Sequence, residues 1–376
     1  MNLFNRAEII DQNFSKHVKN NNLPDSTNEL SISDVSISPS KLISIFESQV
    51  YSRHMDLKAR ELKEKGECFY TIGSSGHESN AVFGNIFPYT DIAFLHYRSG
   101  AFYIERSKQL YNSTPLYDMA LSFTASSEDP ISGGRHKVFG SKRLNIPPQT
   151  STIASHIPKA VGAAFSIDRA CDLDIKDREL DKNSIVICSF GDASVNHASA
   201  LSGFNTARWV KSIGGSMPIV FICEDNGYGI SVPTPKSWIE NTFSNQDSIK
   251  YFHCDGLNLF DTINKTQEVQ EYCRSKRSPV FLHMKTVRLM GHAGSDIESS
   301  YLSMSDIEGA EKNDPLLHSA RILINDRILS SDEILDLYEK TRTRIHYVFE
   351  KATTRPRLDE ASDIMGVIVP NDSKKN

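Results

Sequence analysis

Apolar and polar positions along the chain keep one rhythm up to about residue 66 and another after about 151. The stretch "KLISIFESQVYSRHMDLKARELKEKG" carries apolar residues at helical spacing. Ser38-Pro39 marks its start, because proline suits the first helical position, and Gly66 marks its end. Residues 67–150 hold short apolar pieces broken by Gly, Ser and Pro, among them "CFYTIGSSGHESN", "DIAFLHYRSGAFY" and "ISGGRHKVFGSKRLNIPPQ". From about 151 the order is helix "IPKAVGAAFSIDRA", strand "SIVICSF", helix "NHASALSGFNTARWV", strand "MPIVFICED" and, later, strand "PVFLHMKTV". Apolar strands alternating with helices predict an α/β fold, a doubly wound and mostly parallel sheet with helices on both faces. Residues 305–350 read as amphipathic helix. Residues 1–37, rich in Asn, Ser and Asp, read as a partly ordered surface arm. The expected organisation is therefore an arm over 1–37, one domain over 38–350 and a tail over 351–376.

Composition narrows the class. Of 376 residues, 39% are hydrophobic and 24% charged, as in a soluble globular protein. A formal charge of −5 with scattered basic residues argues against a nucleic-acid partner. None of the six cysteines forms a C-x-x-C pair, so neither a zinc site nor a disulfide framework is expected. Cys188 and Cys223 sit inside apolar runs and read as small core residues. No stretch is long enough to span a bilayer, so no membrane partner is expected. The N-terminus contains acids and lacks a secretory apolar core; cytoplasmic residence is the expectation.

Candidate chemistry gathers at two strand ends. "SIVIC" leads to Gly191-Asp192, and "PIVFIC" to Asp225-Asn226-Gly227-Tyr228. In a doubly wound parallel sheet ligands collect where strands deliver their C-terminal ends. If these two strands are neighbours, a carboxylate, a side-chain amide and backbone carbonyls converge. Such hard oxygen ligands suit magnesium or calcium rather than zinc. A helix beginning near Ser194 would add N-terminal amides that favour an anion. The pattern fits a metal-bridged diphosphate.

These residues resemble the thiamine-diphosphate-binding motif, and more narrowly the alpha subunit of the thiamine-dependent decarboxylating component of 2-oxo acid dehydrogenase complexes. The resemblance runs from about residue 50 to 305. It implies magnesium held by Asp192, Asn226 and the carbonyl of Tyr228, with Gly191, Asp192, Ala193 and Ser194 against the cofactor. Two departures stand out. Ala193 replaces the motif's last glycine, so that position does not require positive φ. The spacing between the two ends is also longer than usual, with the extra residues in "WVKSIGGSMP", where a Gly-Gly loop can absorb them.

Other motifs extend the likeness. Tyr97 and Arg98 of "HYRSGAF" resemble the pair that reaches the cofactor diphosphate, Arg98 offering paired donors and Tyr97 a phenol. Gly76-His77-Glu78 also matches, as a catalytic element or as a structural loop. In "TSTIASHIPKAVGAA" the backbone around Ser151 would contact the aminopyrimidine, and Ile153 matches the bulky aliphatic residue that holds the cofactor bent; Ile153 also reads as core. A structural monovalent cation near Ser151 and Ser155 is left open. In "KTVRLMGHAGSDIESSY" His292 matches a histidine near the diphosphate and the reacting carbon, where an imidazole can donate to phosphate or a developing oxyanion. Ala293 stands where regulated relatives carry a phosphorylated serine, leaving Ser295 as an acceptor. Leu302 replaces an Arg expected after Tyr301, which puts the loop's anchoring in doubt.

The resemblance implies oxidative decarboxylation of a small 2-oxo acid, branched-chain first and pyruvate second, with acyl transfer to a lipoyl group. Only one diphosphate-type strand–helix array is legible. The carboxylate that activates the cofactor would then come from a beta subunit, in an α2β2 heterotetramer serving a lipoyl-bearing acyltransferase core. The motif set is also similar to fused alpha–beta forms, of which this chain would be the alpha half. Two other readings stand beside this one. One is a noncatalytic magnesium–diphosphate-binding protein of the same fold; the other is a magnesium-dependent phosphatase with Asp192 as nucleophile.

Overall fold

A computed structural model describes residues 5–26, 28–69, 71–149 and 151–368. Its strands are β1 (Ile92–Phe94), β2 (Val186–Gly191), β3 (Ile219–Asp225), β4 (Tyr228–Gly229), β5 (Val232–Pro233), β6 (Lys250–Asp255) and β7 (Val280–Lys285). Five of them form a sheet of order β1-β2-β3-β7-β6, parallel throughout, while β4 and β5 make a small antiparallel hairpin. The helices are α1 (Arg6–Lys19), α2 (Pro39–Glu64), α3 (Ala81–Ile86), α4 (Gly100–Ser107), α5 (Pro115–Phe123), α6 (Ile157–Asp172) and α7 (Ala198–Ser212). They continue as α8 (Trp238–Phe243), α9 (Leu259–Lys276), α10 (Met304–Lys312), α11 (Pro315–Asn325), α12 (Ser331–Thr353) and α13 (Ala361–Met365).

The continuous apolar runs follow from burial on both sheet faces. Alternate residues of each strand enter different cores. Ile187, Val220, Ile222 and Leu282 pack with residues of α2 to α5, α9 and α12. Val186, Cys188, Phe190, Phe221, Cys223 and Phe281 pack under α6, α7 and α8. Cys188 and Cys223 are thus core residues. Ser38 caps α2 by accepting from the Lys41 amide, with Pro39 in the first turn. α6 and α7 approach closely: a Cβ on Gly203 would stand 2.7 Å from Ile157 Cγ2.

The sequence pattern does not mark β1 or β6. β1 is three residues long, and β6, "KYFHCD", is an edge strand with charged ends, only Phe252 and Cys254 of which are buried. The expected arm over 1–37 is corrected at α1. Ile10, Phe14 and Val18, four residues apart, form a buried stripe, and Phe14 stacks on Tyr338 of α12 at 4.3 Å. Residues 1–4 lie outside the described residues. Among the described residues no helix is long and apolar enough to cross a membrane.

Candidate cofactor and metal site

β2 and β3 are parallel neighbours, in register from Val186–Ile219 to Gly191–Glu224. Their ends therefore bring Asp192 and Asn226 to the same edge of the sheet. The chain after β2 differs from expectation. Asp192–Asn196 is a 3₁₀ turn, and α7 starts only at Ala198, capped by the His197 side chain. Asp192, Ser194 and Asn196 carry short polar side chains that compete with the helix for backbone partners, which favours a turn here. Asp192 is 1% exposed and accepts a hydrogen bond from the Thr234 hydroxyl. The Thr234 amide donates to the Gly227 carbonyl at 2.8 Å, so one threonine clips the hairpin after β3 to the end of β2. Burial, with the charge of Asp225 adding to it, raises the Asp192 carboxyl to about 6.

The orientation of the Asn226 amide follows from its neighbours. His77 Nδ1 lies 2.7 Å from Glu224 Oε2, and a carboxylate only accepts, so Nδ1 carries the proton. His77 Nε2 must then accept, and it does so from Asn226 Nδ2 at 2.9 Å. Asn226 Oδ1 takes the Tyr228 amide at 3.0 Å and keeps a second lone pair for a cation. His77 and Glu224 thus position the amide oxygen. The Gly-His-Glu match drew attention to His77, but Glu224 carried no sequence signal apart from its place in the strand. Replacing His77 by Ala is expected to weaken magnesium binding by about 10–100-fold, the usual cost of losing a group that orients a ligand. Calorimetric titration of magnesium in the presence of thiamine diphosphate reads this directly.

Ala193 does not have positive φ, as its identity implies. Its methyl group finds room because Gly229 has no side chain; a Cβ there would lie 2.7 Å from Ala193 Cβ. The longer spacing is absorbed at the far end of the sheet. α7 runs to Ser212 and the chain turns through Gly214, φ +86°, before β3. The strand ends stay in register.

A second wall comes from the segment after β1 and the loop after β7. Arg98 is buried; it donates from Nη1 to the Gly73 carbonyl at 2.5 Å and from Nη2 to His292 Nδ1 at 3.0 Å. A guanidinium cannot accept, so His292 Nδ1 is unprotonated and its proton sits on Nε2. Burial, followed by the charges of Arg98 and Arg288, lowers the His292 pKa to about 4, and the ring is neutral near pH 7. Tyr97 meets His292 edge-on at 6.0 Å between ring centroids. Arg288 donates to the Ile230 carbonyl and the Tyr301 hydroxyl, and its guanidinium lies 5.5 Å from the Tyr228 ring centroid. Tyr301 and the His292 amide both donate to Asp296. These bonds anchor the loop that Leu302 had put in doubt.

Ser151 and Ile153 stand apart from this network. His136 Nε2 lies 2.9 Å from Ser151 Oγ. Ile153 is 40% exposed and so is not a core residue, which corrects that part of its reading. The segment reaches the sheet through His156, whose Nε2 donates to the Ser189 carbonyl. His96, missed in the sequence though it opens the same "HYR" motif, is buried with neither ring nitrogen paired, its Nε2 turned toward Gly191. His77, His96 and Glu224 offer ligand atoms within 4.8 Å of one another, yet His77 already uses both nitrogens.

The residues fit the expected group. Among the described residues, Asp192 is a buried acid that forms no ion pair, and Arg98 and Arg288 are buried guanidiniums that form no ion pair with a carboxylate. A divalent cation completes the first and a diphosphate the second.

Comparison with known proteins places the chain in a family. A model of the family described as "Dehydrogenase E1 component" matches residues 47–360. The 2-oxoisovalerate dehydrogenase subunit alpha, mitochondrial, of Mus musculus is 26% identical over 318 residues, covering 83% of this chain and 67% of that protein. The 2-oxoisovalerate dehydrogenase subunit alpha of Bacillus subtilis is 27% identical over 301 residues, 78% of this chain and 84% of its own length. The pyruvate dehydrogenase E1 component subunit alpha, mitochondrial, of Dictyostelium discoideum is 25% identical over 183 residues, 48% of this chain and 47% of its own. With the family match spanning most of the sequence and the polar residues of two parallel strand ends gathered as described, the chain belongs to the dehydrogenase E1 component family.

Proposed function

We propose that this chain is the alpha subunit of a 2-oxo acid dehydrogenase that binds thiamine diphosphate through magnesium. The observation that carries the reading is a pair of buried charges without ion-pair partners, Asp192 at one strand end and Arg98 beside His292. Asp192, Asn226 Oδ1 and the Tyr228 carbonyl would hold the metal, with Gly191, Ala193 and Ser194 forming the turn against the diphosphate. Arg98, Tyr97 and the Nε2 proton of His292 would bind its oxygens. Bound thiamine diphosphate supplies the carbon nucleophile and electron sink for decarboxylation. The neutral His292 can donate its proton to a developing oxyanion, and Arg98 holds the ring in that tautomer. Ile153 and the backbone at Ser151 would face the cofactor rings, which accounts for an isoleucine kept out of the core.

The described chain has a single five-stranded parallel sheet. A beta subunit would bring the carboxylate that activates the cofactor, in an α2β2 assembly, and a lipoyl-bearing acyltransferase would take the acyl group. Relatives named for 2-oxoisovalerate favour a branched-chain 2-oxo acid over pyruvate. A pocket discriminates one methylene by only ~1–3 kcal/mol. Mild purification from native cells, with the co-purifying proteins identified by mass, tests the assembly. A stoichiometric beta-like subunit is expected. An intact chain that emerges alone, or decarboxylates robustly without help, would overturn it.

A further inference from the structure

The loop that carries His292 is held from behind by a helix that the family match does not include. That match begins at residue 47, whereas α1 covers Arg6–Lys19. α1 has two anchorages. From its middle onward Asp11 pairs with Arg342 and accepts from the Tyr338 hydroxyl, and Phe14 stacks on Tyr338. At its N-terminal half Ile10 is buried in a small apolar cluster with Leu289 and Met290, the two residues that lead into the Gly291-His292 turn. Arg6 extends this contact. Its guanidinium pairs with Glu298 on the far side of the loop and with Glu311 of α10. Asn13 also reaches Glu311, at 3.3 Å. α1 therefore grips the loop at its entry and its exit, while its other half is fixed to α12.

We propose that α1 is a built-in brace that holds the 288–302 loop in place beside Arg98, with Arg6 as its positioning residue. The inference rests on the reading of His292 as part of the diphosphate-binding wall. The loop's interior bonds, from the His292 amide to Asp296 and from Tyr301 and Leu302 to the Glu298 carbonyl, fix its shape. They do not fix its place over the site. That placement comes from Arg98, from Arg60 to the Gly291 carbonyl, from Gly294 to Thr71, from Arg288 to the Ile230 carbonyl, and from α1, which of these is the one anchor that grips both ends of the loop. With Arg6 removed, the exit side of the loop loses its charge pair, and the buried Glu298 loses the cation beside it. The brace spares the cofactor the ordering cost that a free loop would impose on binding.

Hydrogen exchange of the cofactor-free full chain, followed by mass spectrometry, tests this. In Arg6→Ala the peptide spanning 288–303 is expected to exchange on the order of tenfold faster, with β2 and β3 peptides unchanged, because only a local opening is made easier. Ile10→Ala should act on the same peptide, and Arg6→Lys should restore most of the protection. In enzyme reassembled with its beta subunit, Arg6→Ala should raise the thiamine diphosphate concentration for half-maximal rate by a similar factor and leave kcat at saturation nearly unchanged. Wild-type exchange of the loop in both the Arg6→Ala and Ile10→Ala chains would overturn the brace. So would a rise spread equally over the sheet. Failure of the wild-type chain to bind thiamine diphosphate would instead sink the proposed function, leaving the exchange result to be read on its own.

Discussion

Asp192→Asn is expected to abolish measurable binding of magnesium–thiamine diphosphate while making the ligand-free chain more stable. The folded state raises the Asp192 carboxyl from 3.8 to about 6, chiefly by burial. A raised acid stabilises the fold at low pH, and that contribution is lost as pH climbs from about 4 to 6. At pH 7.5 the wild-type chain therefore carries an unpaired buried charge that Asn does not have. Asn also keeps an oxygen to accept from Thr234. The variant should gain on the order of 2 kcal/mol at pH 7.5 and almost nothing at pH 3.5. Denaturant melts at the two pH values measure the gain, and calorimetry measures binding. A variant that binds the cofactor normally would remove Asp192 from the metal site.

Arg53→Ala should be the most damaging single change away from the ligands. Arg53 is 0% exposed and holds Glu78 at 2.6 Å and Asp314 through two bonds of 2.8 Å. Truncating the arginine strands two carboxylates in the interior, a loss of about 3–5 kcal/mol against a typical total of about 5–15. The damage would reach the site, because Glu78 also accepts the Gly76 amide and so fixes the turn that presents His77. Replacing all three members with apolar residues of similar volume should recover most of the stability. A loss under about 1 kcal/mol in Arg53→Ala would show that water or a shifted side chain compensates.

Periodicity made the long elements legible. α2 begins and ends within two residues of its Ser-Pro and Gly signals, and the buried runs of β2, β3 and β7 are continuous because both faces are covered. Short or amphipathic pieces escaped: β1 is too brief for any period, and the buried stripe of α1 is diluted by Asn, Asp and Lys. Asp192, Asn226, Arg98 and His292 stood out because their residue types announce their chemistry. The atoms that orient them did not. Glu224 sits in an apolar strand and matters only through a contact with His77, 147 positions away. His96 likewise differs from an ordinary core histidine only by having no partner, which a sequence cannot display.

The contact between Ala193 and Gly229 couples two positions, so that substitutions at them are tolerated only in one order. A side chain at 229 collides with the Ala193 methyl, so Gly229→Ala alone should be poorly tolerated. Ala193→Gly first would open the space at little cost and make the second change permissible. The alanine that departs from the usual motif therefore acts as a latch: while it is in place, the hairpin that presents the Tyr228 carbonyl has no room for a side chain at 229.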